Sequence, residues 1–247
     1  MLAIIGGSGL TQLANLAVDR REVMRTPYGE PSGPLTFGRI CGQPAVFIAR
    51  HGYGHTIPPH EVNYRANVWA LKQAGATCIV SIASVGGIRA DLGPGAIVIP
   101  HQIIDYTWGR KSTYHEGSDA PVVHIDFTQP YDPQLRQVLL AAAREAGQVV
   151  TDGGVYAATQ GPRLESAAEI DRLERDGADI VGMTGMPEAA LARELELPYA
   201  AITVVANHAA GRGDSRLGIQ FASLEDILRE SMERVRRIIE MICLEGK

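Results

Sequence analysis

The chain has 247 residues, 45% hydrophobic and 21% charged, with 23 Lys+Arg against 28 Asp+Glu for a formal net charge of -5. This length and apolar content support a substantial buried core, and no run approaches the ~18 apolar residues of a membrane-spanning helix, so disordered, collagen-like and membrane-spanning classes are excluded. An acidic balance lacks the broad cationic field that holds nucleic acid, so any anion must be bound by local groups, and a small ligand is expected rather than a polymer. The 27 glycines, about 11% of residues against an average of about 7%, mark the chain for tight turns and close backbone approaches.

Met1-Leu2-Ala3-Ile4-Ile5 has no basic leader and is cut short by Gly6-Gly7, so it reads as the first strand. Cys41, Cys78 and Cys243 are odd in number and widely spaced, with no C-x-x-C pair, which argues against a disulfide framework or structural zinc and for a reducing cytoplasm. Buried strands are predicted over 45–49, 78–83, 96–99, 154–159, 179–183 and 199–205, alternating with helical stretches. The clearest helix has Asp132 as N-cap, Pro133 at its first position, Leu135, Val138, Leu139 and Ala142 on one face, and Gly147 closing it. A last helix is expected from near Ser223, with Glu225 and Asp226 in its first turn and a core-packing stripe from Ile227 and Leu228 through Met232, Val235, Ile238, Ile239 and Ile242. No repeat, low-complexity tract or linker divides the chain, so one α/β domain over residues 1–247 is expected.

Five strand ends carry residues suited to a ligand. Ile4-Ile5-Gly6-Gly7-Ser8-Gly9-Leu10 is a strand running into a glycine turn whose N–H groups, with the Ser8 hydroxyl, can surround a phosphate. Gln12 stands where a dinucleotide fingerprint needs glycine and no Gly-Lys-Ser/Thr follows, so an anion site and an ordinary tight turn stay equally open. Arg50-His51-Gly52-Tyr53-Gly54-His55 delivers a cation and an imidazole directly after a strand. His51 and His55 are four apart, as helical zinc ligands would be, but Gly52, Gly54, Pro58 and Pro59 disfavour a helix, and a solvated surface loop is the plainer alternative.

Ser84-Val85-Gly86-Gly87 offers further backbone donors or else marks a close chain approach. Gly161-Pro162-Arg163-Leu164-Glu165 sets a carboxylate after a rigid turn, where it accepts N–H groups of a base or serves as a first-turn helix acid. Met183-Thr184-Gly185-Met186-Pro187-Glu188 puts a thioether and a hydroxyl before a proline-initiated helix, and Val205-Ala206-Asn207 ends an apolar strand on an amide. Phosphate donors, apolar surface, a carboxylate and an amide are together what a nucleoside-plus-phosphate site requires.

These motifs, with Ala49-Arg50-His51-Gly52 and Val62-Asn63-Tyr64-Arg65-Ala66-Asn67, closely resemble those of the trimeric purine nucleoside phosphorylase and 5'-methylthioadenosine phosphorylase family, nearly end to end. The resemblance implies a central mixed, twisted β-sheet flanked by helices, and phosphorolysis of a purine nucleoside to free base and ribose 1-phosphate. It implies no cofactor and no metal, inorganic phosphate as co-substrate, and a homotrimer with sites near subunit interfaces. Carried onto this sequence, phosphate contacts fall on Ser8, Arg50, His51, Ser84 and Thr184. Met183 and His55 lie by the ribose, and His124 reaches the 5' end from a neighbouring subunit. Val85, Gly86, Leu164, Glu165 and Asn207 surround the base.

Two positions set the expected substrate. Asn207 stands where 6-oxopurine enzymes of the family carry Asn and 6-aminopurine enzymes Asp; an amide can donate to O6 while accepting the N7 proton, whereas a carboxylate has no donor. Glu165 can accept the N1–H that hypoxanthine and guanine have and adenine lacks. Leu224, Ile227 and Leu228 stand where methylthio-specific members place apolar side chains, in contrast to the histidine of nucleoside-specific enzymes. Oxo base and methylthio sugar together predict S-methyl-5'-thioinosine as substrate, with methylthioadenosine or inosine and guanosine phosphorolysis, or a non-catalytic nucleoside-binding module, as the competing readings. The chain departs from the family at Ala83 (a hydroxyl residue in methylthioadenosine enzymes), Leu164 (a stacking aromatic in many relatives) and Ala209 (a second acid). Ala210 to Ser215 has no counterpart and reads as a lid over the base.

Overall fold

The computed structural model describes residues 1–117, 121–221 and 224–245. In chain order the elements are β1 (Leu2–Gly6), β2 (Ala17–Glu22), β3 (Leu35–Ile40), β4 (Gln43–Ala49), α1 (Tyr64–Gln73), β5 (Cys78–Gly87), β6 (Ile97–Ile99) and β7 (Gln102–Asp105). There follow α2 (Pro133–Glu145), β8 (Thr151–Asp152), β9 (Val155–Ala158), α3 (Ala167–Arg175), β10 (Ile180–Gly182), α4 (Gly185–Glu194), β11 (Tyr199–His208) and α5 (Leu224–Glu245). The strands form one mixed sheet in the order β2-β3-β4-β1-β5-β10-β9-β7, with β11 pairing β5 and β6, and β6 pairing β8.

Side chains of the central strands alternate between two apolar layers: Ala3 and Ile5 face one, Ile4 the other. The first layer meets α1 and α4 through Val68, Leu71, Ala189 and Ala192, and the second meets α2 and α5 through Leu135, Leu139, Val235 and Ile239. Helices on both faces give the expected α/β architecture. The α2 end signals act as read, with the Asp132 side chain accepting from Leu135 N, Pro133 opening the helix and Gly147 following it at φ +65, but Val138, expected on the apolar face, is exposed, and the buried face is Leu135, Leu139, Ala142 and Ala143. The expected α5 start near Ser223 lies outside the described residues, which resume at Leu224. The Val62 to Asn67 motif is structural in part, since Asn63 caps α1 and the fully buried Asn67 holds Ser32 through its backbone N–H and hydroxyl. The exposed β2 strand, Ala-Val-Asp-Arg-Arg-Glu, lacks the apolar alternation by which strands are recognised and pairs only at the sheet edge, where charge blunts further pairing. No helix among the described residues is long and apolar enough to cross a membrane.

The sheet opens at β5. One edge of this ten-residue strand pairs in parallel with β1 as far as Ser81, then antiparallel with β10 from Gly86, so residues 82–85 on that edge face a fork between the two neighbours. Such a switch point is where open α/β sheets bind ligands. On its other edge β5 pairs with β11 throughout, and a bulge between Val205 and Asn207 re-aims the end of β11. Strand β5 runs to Gly87, past the predicted end at Ala83, so Ser84 to Gly87 are strand rather than turn. A Cβ on Gly87 would lie 1.9 Å from the Leu92 carbonyl, which makes this glycine a close chain approach.

Candidate active site

Arg50 occupies the fork. It follows β4 directly, its backbone N–H donates to Gly6 O at 2.9 Å, and its side chain is fully buried. Nε and Nη2 donate to Glu188 Oε2 and Oε1 at 2.7 and 2.8 Å, Nη2 to Ser81 Oγ at 2.6 Å, and Nη1 to the Ile82 carbonyl at 3.1 Å. The protein thus takes four of the five guanidinium N–H groups and leaves one on Nη1 for the cavity that Arg50 lines. Glu188, also fully buried, is completed by the hydroxyls of Ser81 and Tyr199, each donating at 2.8 Å to Oε1. Burial opposes the Arg50 charge, but the Glu188 carboxylate overrides it and holds the pKa above its ordinary value. Gly7 is required for this arrangement, since a Cβ there would stand 2.6 Å from the Ile82 carbonyl and 2.9 Å from Arg50 Nη1.

Beside the guanidinium lies an uncharged imidazole. His51 Nδ1 is 2.8 Å from the Ile57 carbonyl, an atom that only accepts, so Nδ1 carries the proton and Nε2 is an acceptor. Burial and the neighbouring Arg50 charge push the His51 pKa down to about 4. The Gly7 to Leu10 turn, closed by Leu10 N to Gly7 O at 3.0 Å, has Gly9 at φ +80 and presents Ser8, whose hydroxyl lies 3.4 Å from His55 Nε2. Thr184 is buried at the start of α4, makes no capping bond with its side chain, sits against the Tyr156 phenol, and lines the same cavity as Arg50. Regular helix geometry begins at Pro187, after a non-helical Met186.

These groups open on one cavity of about 670 Å³, a size suited to a nucleoside and an anion. Its walls include the five residues expected at phosphate (Ser8, Arg50, His51, Ser84, Thr184), with Met183 and His55 from the ribose set. All five from the base set (Val85, Gly86, Leu164, Glu165, Asn207), and Leu224 and Leu228 from the 5' set, line it too. Ile227 does not line it, because Leu224 and Leu228, one turn apart, take the cavity face of α5. His124 is exposed on the 121–127 segment and is likewise absent from the cavity of its own chain.

Glu165 precedes the N-cap Ser166 of α3, which excludes the first-turn reading, and accepts from the Thr159 hydroxyl at 2.6 Å. Asn207 Nδ2 donates to the His208 carbonyl at 2.6 Å, leaving its second N–H and Oδ1 unassigned. Gly161, at φ +63, admits the Met183 sulfur, which would be 2.4 Å from a Cβ there. The expected lid is a compact turn: Gly213–Ser215 form a single 3-10 turn, Arg212 pairs with Asp171 and Glu174 of α3 at 2.8 and 2.7 Å, and Ala210 reaches the cavity.

Several cavity-building residues escaped the sequence reading. Ile219 and Phe221 add apolar wall beside Leu224, but in a segment with no periodic pattern to expose them. Glu188 carried a signal that went unused: a lone acid in the otherwise apolar run Pro187-Glu188-Ala189-Ala190-Leu191 calls for a buried cation. Arg110 lies in an irregular stretch with no motif.

The comparisons with known proteins accord with this geometry. A protein of Pseudomonas syringae pv. tomato named "Probable S-methyl-5'-thioinosine phosphorylase" is 53% identical over 240 residues, covering 97% of each chain. The 6-oxopurine nucleoside phosphorylase of Pyrococcus furiosus is 42% identical, over 96% of this chain and 90% of that one. The methylthioadenosine phosphorylase of Schistosoma mansoni in complex with adenine superposes with a TM-score of 0.93 at 34% identity, over 99% of this chain and 91% of that one. The model of the phosphorylase superfamily matches residues 1–243, and with this fold and this cavity the chain belongs to that superfamily.

Proposed function

We propose that the protein catalyses phosphorolysis of S-methyl-5'-thioinosine to hypoxanthine and 5-methylthioribose 1-phosphate. The observation that carries the reading is one cavity wall offering an amide, Asn207, together with an apolar first turn of α5, Leu224 and Leu228. The named Pseudomonas relative supports it. The free Asn207 N–H would donate to O6 and Oδ1 would accept from N7, while Glu165 would accept from N1. Leu224 and Leu228, with Ile219 and Phe221, would cover the methylthio group, whose burial is worth about 1 to 2 kcal/mol. A 5'-hydroxyl against the same carbons would lose its hydrogen bonds to water.

In the reaction the C1'–N9 bond breaks with its electron pair passing to the purine, which takes up one proton at N7 from solvent, and a phosphate oxygen bonds to C1' as the monohydrogen phosphate gives up its proton to solvent. The remaining Arg50 N–H, Ser8, Ser84 and Thr184 hold the phosphate beneath the ribose. His51, uncharged, accepts the O–H of a monoprotonated phosphate through Nε2. Catalysis is positioning and electrostatics aimed at an oxocarbenium-like transition state, with no protein nucleophile and with phosphate as the co-substrate.

We further place the enzyme in the cytoplasm, as a homotrimer of a single phosphorylase domain in which His124 serves a neighbouring site. The exposed Val122 and Val123 beside His124 support that placement. The deciding experiment measures base release from methylthioinosine, methylthioadenosine and inosine side by side, with and without phosphate. Phosphate-dependent release fastest from methylthioinosine is expected. Release without phosphate identifies a hydrolase, no release a binding module, and a preference for either other nucleoside overturns the substrate assignment.

A further inference from the structure

Arg110 sits behind the cavity wall and spends its whole donor set on it. Nη1 donates to the carbonyls of Met183 and Met186 at 2.7 and 2.6 Å, and Nη2 to those of Gln160 and Thr159 at 2.8 and 3.2 Å. Nε donates to Gln160 Oε1 at 3.2 Å. Nη1 also lies 3.3 Å from the Tyr64 hydroxyl, with the guanidinium 5.5 Å from the centroid of that ring, and among the described residues no hydrogen-bond partner of Arg110 is a carboxylate, so this half-buried guanidinium is balanced by neutral dipoles and a ring face. The carbonyls belong to three segments, the end of β9, the end of β10 and the opening turn of α4; the parallel β9–β10 ladder reaches Ala158 and Gly182 and closes with Thr159 N donating to Gly182 O at 2.8 Å, and Arg110 ties the three segments together beyond that rung. With no cation there, their oxygens would face one another as like dipole ends.

Each segment carries a group proposed to act on substrate. Thr159, whose carbonyl Arg110 holds, donates its hydroxyl to Glu165 Oε1 at 2.6 Å. Met183 is itself a cavity residue, and Thr184 lies between the two α4-side carbonyls, Met183 and Met186. We infer that Arg110 is the positioning residue of this enzyme, a five-donor clamp that sets Glu165, Met183 and Thr184 in mutual register so that base, sugar and phosphate groups act together. It rests on the phosphorolysis proposed above, but not on which nucleoside is preferred. Lysine cannot replace it, because an ammonium offers three donors from one point where five acceptors require a planar fork.

The test uses the full chain and whichever nucleoside the wild type turns over fastest, so an error in the assigned substrate leaves it intact; a wild type that turns over none overturns both readings. Arg110→Ala is expected to keep the wild-type far-UV spectrum and cooperative unfolding while kcat falls about 100-fold, the cost of misplacing reacting groups by about 1 Å. Ethylguanidinium, which reproduces the deleted atoms, is expected to restore kcat about tenfold, and ethylammonium, of the same charge without the fork, to restore nothing. Arg110→Lys is expected to stay impaired by a similar factor. Wild-type kcat in Arg110→Lys, or equal rescue by the two amines, overturns the inference. Failure of both variants to fold also overturns it, since Arg110 is then a folding determinant.

Discussion

At the strand fork, Arg50, Glu188, Ser81 and Tyr199 are all buried, and every oxygen and nitrogen of the Arg50–Glu188 pair has a protein partner. At the cavity lip, Leu164 is 42% exposed and Phe221 67% exposed, and Asn207 is held by one hydrogen bond to its own neighbour. The two ends obey different energetics. A buried, mutually satisfied charge network cannot lose one member cheaply, so the fork, the end proposed for phosphate, is fixed by the fold. The lip is built of side chains whose replacement costs little stability, so selectivity among nucleosides can vary there on an unchanged scaffold.

The largest effect is expected from Glu188→Ala. It leaves the fully buried Arg50 charge without its counter-ion and the Ser81 and Tyr199 hydroxyls without their acceptor, a loss of about 3 to 5 kcal/mol. Urea unfolding should show that loss, and any folded enzyme should have a raised KM for phosphate because the guanidinium is no longer held. A variant within 1 kcal/mol of wild type, on the order of a surface substitution, would mean that the fork is not rigid.

His51 gives the same end a pH signature. Its pKa of about 4, against an ordinary 6.5, means that the unfolded chain takes the proton first. Stability is therefore full above about pH 6.5 and falls as the pH drops toward about 4, by about 3 kcal/mol over the whole window. His51→Gln removes the titrating group, so wild type should lose stability relative to the variant between about pH 7 and about pH 4.5. Parallel losses in urea unfolding at the two values would show that His51 is not held neutral.

At the lip, Asn207→Asp should leave stability nearly unchanged and alter substrate choice. The carboxylate would face O6 without a donor and meet the His208 carbonyl with like charge, so the methylthioinosine-to-methylthioadenosine ratio of kcat/KM should fall by about 100-fold. An unmoved ratio removes Asn207 from base selection.

The same division governs what could be read from the residues alone. Glycine turns, strand-end motifs and the capping pattern at Asp132 act locally, and the strand-end motifs converge on one cavity. Arg50 was legible because it follows a strand and a motif. Its partner Glu188 is 138 residues away, and no local rule pairs them. Ile219 and Phe221 reach the cavity only because the chain returns from β11 to α5 across its mouth. Exposed β2 had no pattern because, at the edge, none of its six residues is buried. Local signals marked groups that line the cavity; the groups that hold them are set by long-range contacts.

Leu228→His should have the smallest effect, and it tests the lip most directly. Leu228 lies on the cavity face of the first turns of α5, against Gly9: a Cβ on that glycine would be 3.4 Å from Leu228 Cβ, so the helix is seated on the turn that presents Ser8. An imidazole fits the volume of leucine, and α5 keeps its hold on the second apolar layer through Met232, Val235, Ile238 and Ile239. The change therefore exchanges methyl groups for a hydrogen-bonding ring without disturbing the scaffold. A methylthio group loses apolar contact worth about 1 to 2 kcal/mol, while a 5'-hydroxyl gains a partner. The methylthioinosine-to-inosine ratio of kcat/KM should fall about tenfold, with the phosphate KM unchanged because the fork is untouched. An unchanged ratio would place the 5' substituent elsewhere in the cavity, and a phosphate KM that moved with it would show that lip and fork are coupled through the Gly9 turn.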